Sequence, residues 1–411
     1  MAVIRPFKAL RPKKEYAHLV ASVPYDVVST EEAKELVKGN ELSLLRVTRS
    51  EVELPENIDH YSPEVYEHAK KNLQKLVDNG YLQFDNQSYF YFYRQIMNGR
   101  AQVGIAATFS VEDYNQDIIM KHEKTRKDKE DDRTRHIITT KAQTGPVFLT
   151  YRGNDKVKEI INKVISENAP EYDFVASDGI QHTMWVCPAE YNEIIVTEIS
   201  KVDKLYIADG HHRAASASRA QAEMAKNNPN HTGDEEYNYF LAVLFSADEL
   251  KILPYNRVVV DLNGNSEEEF LNKIKVNFNV EEVDYEEPKQ TKNFCMYLNK
   301  KWYKLEPNQN VKKANSVGDN LDVSILQNYL LQPILGIDDP RTSKRIDFIG
   351  GIRGTAELKK LVDSGKFAVA FSLYPVTLDD LMAISDAGEI MPPKSTWFEP
   401  KLRDGIVIHT I

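Results

Sequence analysis

The apolar positions of this chain change period several times, and each change marks an element. Val65, Ala69, Leu73, Leu76 and Val77 follow the i, i+3, i+4 spacing of one helix face. Ser62-Pro63-Glu64 just before them supplies an N-cap, a proline at the first helical position and an acid in the first turn, and Gly80 closes the helix. The period then drops to that of strands. QSYFYFYRQI and AQVGIAATFSV flank Asn98-Gly99, which predicts a hairpin with a two-residue turn.

Farther on, VFLTY, HTMWVC, KLYIA, YFLAVLF and LKILPYNRVVVDL predict strands. Helical periods cover Asn154 to Asn168, with Val157, Ile160, Ile161, Val164 and Ile165 apolar, and a charged segment from Asp132 to Gln143. After Leu262 a helix is predicted in EEEFLNKIKVNF, followed by a charged stretch of weak patterning. A last helix is predicted over Thr377 to Ala387, with Asp379 and Asp380 in its first turn and Gly388 at its end. Helices and strands intermix without a repeat or a low-complexity linker. The expected fold class is therefore α/β of mixed α+β character, one continuous core with additions at both ends. The expected parts are 1–100, 101–262 and 263–411.

Composition narrows the functions open to such a fold. The formal net charge of −10 over 411 residues excludes a general nucleic-acid binder, which needs a basic face for phosphates. No apolar stretch approaches the roughly 18 residues of a membrane helix, and MAVIRPFKALRPKKEY lacks the apolar segment of a secretory signal. Cys187 and Cys295 lie far apart and form no metal-type spacing, so a reducing, cytoplasmic setting is expected.

The densest chemistry lies in YIADGHHRAASASRAQAEM, Tyr206 to Met224. A strand, a tight turn at Asp209-Gly210 and a helix opening at His211 or His212 make a strand–turn–helix anion site, where free amides and the positive end of the helix dipole point at the turn. Gly210 lets the backbone approach a ligand, and His211, His212 and Arg213 add side-chain donors. A zinc site fits less well, because adjacent helical residues diverge by about 100°. The bland alternative is a capped, solvated helix start with one histidine packed inside.

A second cluster is His122-Glu123-Lys124-Thr125 with Lys127, Lys129, Asp132, Arg133 and His136. Such mixed charge commonly marks a solvated loop. It also holds the parts of a phosphoryl-transfer site: carboxylates for a proton or Mg²⁺, a threonine hydroxyl, and cations for developing charge. The proline-fixed block Pro392 to Lys401 carries Lys394, Ser395 and Thr396 between Pro393 and the aromatics Trp397 and Phe398. It reads either as a packed arm or as a strip reaching a site.

PYDVVS, HEKT…DR, ADGHHRAAS, LPYNRVV and MPPKSTWFEPK, in this order, resemble a ParB/sulfiredoxin-superfamily branch long catalogued as a domain of unknown function and similar to the free serine kinases. The resemblance spans nearly the whole chain. It implies a ParB/sulfiredoxin-like nucleotide-binding core with N- and C-terminal elaborations. It also implies transfer of a phosphoryl group from ATP or ADP to the hydroxyl of L-serine, with Mg²⁺ as cofactor. Gly210, His211, His212 and Arg213 match its phosphate motif, with Asp209 beside the metal. Glu123 is expected as the catalytic carboxylate and a metal ligand, with Asp26 the other candidate base; His211 and His212 join the catalytic set. Thr125, Arg133 and Lys394 are expected at the nucleotide. Neither cysteine has the context of a reductase nucleophile, and no helix-turn-helix reader accompanies the motif. A non-catalytic nucleotide switch acting on a protein partner is the alternative function.

Overall fold

In the computed structural model, which describes residues 2–411, the hairpin pairs Tyr91–Met97 with Arg100–Ser110 in the register Tyr91↔Ala106 to Met97↔Arg100. Asn98 and Gly99 both take positive φ, 52° and 77°, as the two-residue turn demands. Around this hairpin grows a mixed sheet with the strand order Ile119–Met120, Leu205–Asp209, Val147–Tyr151, Tyr239–Ser246, Arg100–Ser110, Tyr91–Met97, Gln181–Val186 and Tyr172–Val175. Ile4–Arg5 adds to Arg100–Ser110. The pairs Leu205–Asp209 with Ile119–Met120 and Tyr239–Ser246 with Val147–Tyr151 are parallel; the rest are antiparallel.

The chain divides into two compact units, one of residues 1–250 and 400–411, the other of residues 251–399. In the first unit, Val157, Ile160 and Val164 of the Asp155–Glu167 helix, Ile195 and Ile199 of Asn192–Ser200, and Ala214 and Ala217 of His211–Asn227 are buried in one core with Leu149, Leu205, Ile207 and Leu244 of the sheet. Alternate wetting of the helix faces explains why their period was legible. A second cluster gathers Ala69, Leu73 and Leu76 of the Pro63–Asp78 helix around Leu10, Val20 and Ile408, so the C-terminal residues are part of this core.

The second unit carries an antiparallel sheet in the order Phe278–Val283, Lys301–Pro307, Phe294–Leu298, Val369–Leu373, Tyr255–Val259 and Ile346–Gly350. Leu358 of the Gly354–Asp363 helix packs with Val258, Tyr297, Trp302, Ile349 and Phe367. The charged stretch of weak patterning thus holds strands. Phe278–Val283 and Lys301–Pro307 are short and largely polar on their wetted side, which hides their period. The helix expected from Asp132 begins earlier, at Lys127, and ends at Thr140. The helix expected over Thr377 to Ala387 runs Leu378–Asp386, with Thr377 as its N-cap, the hydroxyl accepting from the amide of Asp380. Among the described residues no helix is long and apolar enough to cross a membrane.

Candidate functional site

The Leu205–Asp209 strand ends in an irregularity between Ile207 and Asp209, where its pairing to Val147–Tyr151 shifts register. Such a bulge re-aims the side chains that follow it. Gly210 then adopts φ 90°, and the helix His211–Asn227 begins at once. The left-handed turn suits glycine, and the amide of Gly210 is held by Asp209 Oδ1 at 2.9 Å. Arg213 and Ala214 donate back to the Gly210 carbonyl, at 2.9 and 3.1 Å. The amides of His211 and His212, in the first turn, are left with no intrahelical acceptor.

Asp209 faces Lys401, whose ammonium lies 2.8 Å from Oδ2. Burial works against its charge, but Lys401, Arg213 and the Gly210 amide hold its carboxyl well below the usual range. Lys401 itself is fixed through its carbonyl, which accepts from the Gln95 amide at 2.8 Å. Sequence reasoning did not single out Lys401. The arm offers two lysines of equal chemistry, and nothing local says which one meets Asp209.

The two histidines part company. His211 is 4% exposed, its ring 4.4 Å edge-on from that of His122, and its Nδ1 lies 3.6 Å from Glu123. Burial, then His122, holds its pKa well below the usual value, so the ring is neutral. Burial likewise lowers His122 to about 4. His211 Nε2 and His122 Nδ1 are buried without a hydrogen-bond partner. The ring of His212 is less buried, and its Nε2 accepts from the Arg126 amide at 3.0 Å. That bond fixes the proton on Nδ1 and draws the HEKT segment onto the motif.

Arg213 donates to the Pro146 carbonyl at 2.7 Å and to Asp26 Oδ1 at 3.1 Å, and its guanidinium lies 5.7 Å from the Tyr25 ring. Burial opposes its charge, but Asp26 and Asp404 outweigh it and raise the pKa. The two candidate bases therefore both reach the motif, Asp26 at Arg213 and Glu123 at His211, and both are partly exposed. Thr125 turns elsewhere: its hydroxyl donates to Glu130, which pairs with Arg219. Arg133 holds Asp132 at 2.8 Å and lies 4.2 Å over the Tyr25 ring, which Arg213 also approaches. Lys394 belongs to the second unit, with positive φ and its ammonium 5.7 Å from the Tyr255 ring; its carbonyl accepts from Arg257.

Among the described residues no group of three or more His, Cys, Asp or Glu side chains forms a cage for a metal ion. Magnesium brought with a nucleotide does not need one, since it keeps waters and phosphate oxygens and takes one or two carboxylates. Partly exposed Glu123 fits that use. Asp209 fits it only on release of Lys401, since both of its oxygens are engaged.

A family model matches residues 4–324, that of the family described as protein of unknown function DUF1015. The chain belongs to that family. No curated protein matches it in sequence. Its fold is similar to solved structures at low identity. A conserved hypothetical protein from Pyrococcus furiosus is 14% identical, covering 74% of this chain and 94% of its own, with a TM-score of 0.36. A free serine kinase in complex with AMP is 13% identical over 74% and 92%, with a TM-score of 0.35. SbnI with a C-terminal truncation, from Staphylococcus aureus, is 12% identical over 73% and 87%, with a TM-score of 0.38.

Proposed function

We propose that this protein is a nucleotide-dependent kinase of a small amino acid, L-serine first among the candidates, with ATP or ADP as donor. The observation that carries the proposal is the helix start at Gly210. There, two first-turn amides and the helix dipole share one turn with Arg213, and two partly exposed carboxylates adjoin it, Asp26 at Arg213 and Glu123 at His211. Amides and a cation at a helix N-terminus grip phosphate; carboxylates alone would repel it, so their presence asks for a second reactant with a proton to give.

In this reading the serine hydroxyl oxygen forms a bond to the terminal phosphorus as the bond from that phosphorus to the nucleotide oxygen breaks. The hydroxyl proton passes late to Glu123 or Asp26, because the transition state is loose and the alcohol a weak acid. Arg213 and the His211 and His212 amides hold the equatorial oxygens. His211, buried and neutral, acts through its amide and by packing Glu123 in place. Mg²⁺, which neutralises phosphate charge when bound, would be held by Glu123, and by Asp209 once Lys401 moves. Residues 101–262, with the motif, would be the ParB/sulfiredoxin-like core.

The test is a panel. Purified full-length protein, Mg²⁺ and each nucleotide are incubated with L-serine, L-threonine, L-homoserine and glycerol, and products are read by mass spectrometry. O-phosphoserine formed with ATP or ADP supports the reading. No phosphorylated acceptor under any donor would sink it.

A further inference from the structure

One face of the large sheet is polar where a core would be apolar. His182 stands directly across from Gln95 on one side and from Phe174 on the other, and Gln95 stands across from Gln102. Tyr93, two residues before Gln95, shares the face. Tyr93, Gln95, Gln102 and His182 are all buried. Burying such groups is costly unless each finds a partner, and a satisfied network fixes one arrangement. The partner here is the chain at residues 401–404.

Gln102 donates to Gln95 Oε1 at 3.1 Å, and Gln95 donates to the Lys401 carbonyl at 2.8 Å. Arg403 Nε donates to His182 Nε2 at 3.2 Å, so the imidazole proton is on Nδ1 and is donated to the Tyr93 oxygen at 2.7 Å. The same oxygen accepts from the Arg403 amide at 3.4 Å, and the far end of the guanidinium pairs with Asp178. Asp404 and Ser22 exchange main-chain bonds at 2.9 and 3.0 Å; the buried Asp404 carboxylate faces Arg213, Arg133 and Arg403 and accepts no hydrogen bond. The backbone is thus held at residues 401, 403 and 404. From it Lys401 extends its ammonium to 2.8 Å from Asp209 Oδ2.

Asp209 has the wrong charge for its position. Its Oδ1 accepts from the Gly210 amide, next to a helix start where amides and dipole favour an anion. A bare carboxylate there would occupy that field itself and repel phosphate. We infer that residues 401–404 form a fixed strap that holds the Lys401 ammonium on Asp209, cancelling its charge and leaving the helix start open to a nucleotide phosphate. The inference rests on the nucleotide-kinase reading and adds what prepares its phosphate site before a metal arrives. Lys401 is a positioning residue that acts on phosphate through Asp209. Gln95, His182 and Arg403 position Lys401 in turn.

Calorimetry of ADP binding to the full-length protein in EDTA reads this without turnover, since no metal then competes for Asp209. Lys401→Met keeps the stem and removes the charge, so Kd should rise at least about tenfold, while Lys401→Arg should stay within about threefold of the parent. Lys401→Met combined with Asp209→Asn should bind within about threefold of Asp209→Asn alone, because the charge to be cancelled is gone. Gln95→Met, which loosens the strap and spares the ammonium, should raise Kd in the same direction, and Asp209→Asn should reverse that rise too. A merely structural strap would lower the urea midpoint and leave Kd alone in every variant that folds. Unchanged affinity in Lys401→Met overturns the inference. A double variant as weak as Lys401→Met overturns it as well, by putting the ammonium directly on phosphate, and so does a parent that cannot hold ADP without metal. None of these outcomes touches the kinase reading, which phosphoserine formation with Mg²⁺ decides separately.

Discussion

Arg213 occupies the centre of the proposed chemistry, and its neighbours decide which substitution is informative. Truncation to alanine would strip the partner from Asp26 and open the cavity beside Asp404, mixing stability with function. Arg213→Lys keeps the charge but loses the fork that serves Asp26, Pro146 and phosphate together. A charge-assisted bond contributes about 1.5–3 kcal/mol, so nucleotide Kd should rise at least tenfold in calorimetry while the circular dichroism spectrum stays that of the parent. Unchanged affinity would remove the arginine from the phosphate site.

Glu123 and Asp26 divide the role of base by a kinetic criterion. The true base, replaced by its amide, should lower kcat by a hundredfold or more with little change in nucleotide affinity, whereas a positioning or metal-binding carboxylate should also move KM for the nucleotide. Glu123→Gln is expected to show that loss of kcat together with a higher nucleotide KM, because Glu123 would also hold Mg²⁺, and Asp26→Asn is expected to spare kcat. If Asp26→Asn loses kcat instead, the base belongs to the PYDVVS segment.

Asp404 gives a residue-level prediction independent of activity. Burial, only partly relieved by Arg213, pushes its carboxyl up to about 7, with Asp26 raising it further and Arg133 and Arg403 lowering it. The folded chain thus keeps a proton that the unfolded chain releases near pH 4. Stability contributed by this group is present below about pH 4 and lost as pH rises to about 7, with a slope of up to ~1.4 kcal/mol per pH unit. Asp404→Asn should therefore be more stable than the parent to urea at pH 8, with the difference vanishing by pH 4. A variant less stable at pH 8 would contradict the unpaired carboxylate.

At the scale of elements, the strand–turn–helix of the motif was legible because Gly210 has only one conformational excuse. It sits between an apolar strand and a helix that needs a start, and φ 90° is open to glycine alone at low cost. A Cβ there would meet Val147 Cα at 3.5 Å and Arg213 Cδ at 3.6 Å, ordinary contacts, so the penalty of Gly210→Ala is conformational. That substitution should cost about 1–2 kcal/mol of stability and weaken nucleotide binding together, read as a lower urea midpoint and a higher Kd. The hairpin was legible for the same reason, Asn98-Gly99 being a turn with a required backbone.

Other elements hid their signal. The helix from Lys127 opens with charged residues whose support is the Lys127–Asp131 pair at 2.7 Å and not an apolar face. The arm's contribution was half legible: its composition marked it, but the partner of Asp209 is Lys401, 192 residues away in sequence, and only folding brings them together. Asp404 carried no signal at all, since a lone aspartate before a glycine reads as a surface turn.

At the scale of the whole molecule, buried neutral histidines govern the response to acid. His122 and His136 are lowered to about 4, His182 to about 3, and His211 well below its usual value, all first by burial. The unfolded chain takes up these protons near pH 6.5 and the folded chain does not. Their stabilisation is present above about pH 6.5 and is lost as pH falls toward 4, each with a slope of up to ~1.4 kcal/mol per pH unit. Four such groups outweigh the opposite slope of the single Asp404. The urea midpoint should fall steeply between pH 6.5 and 4; a flat profile would mean that the rings are accessible or charged.

The central claim, phosphoryl transfer to an amino acid at the Gly210 helix start, is tested most directly by the coupling of two reactants. Phosphorus NMR of the full-length protein with magnesium and nucleotide, with and without L-serine, follows donor and product in one tube. The account predicts that a phosphomonoester signal of O-phosphoserine grows only when serine is present, one equivalent for each terminal phosphoryl group lost from the nucleotide. Nucleotide that binds but is unchanged, or that releases inorganic phosphate at the same rate with or without serine, would contradict it and leave a nucleotide-bound switch.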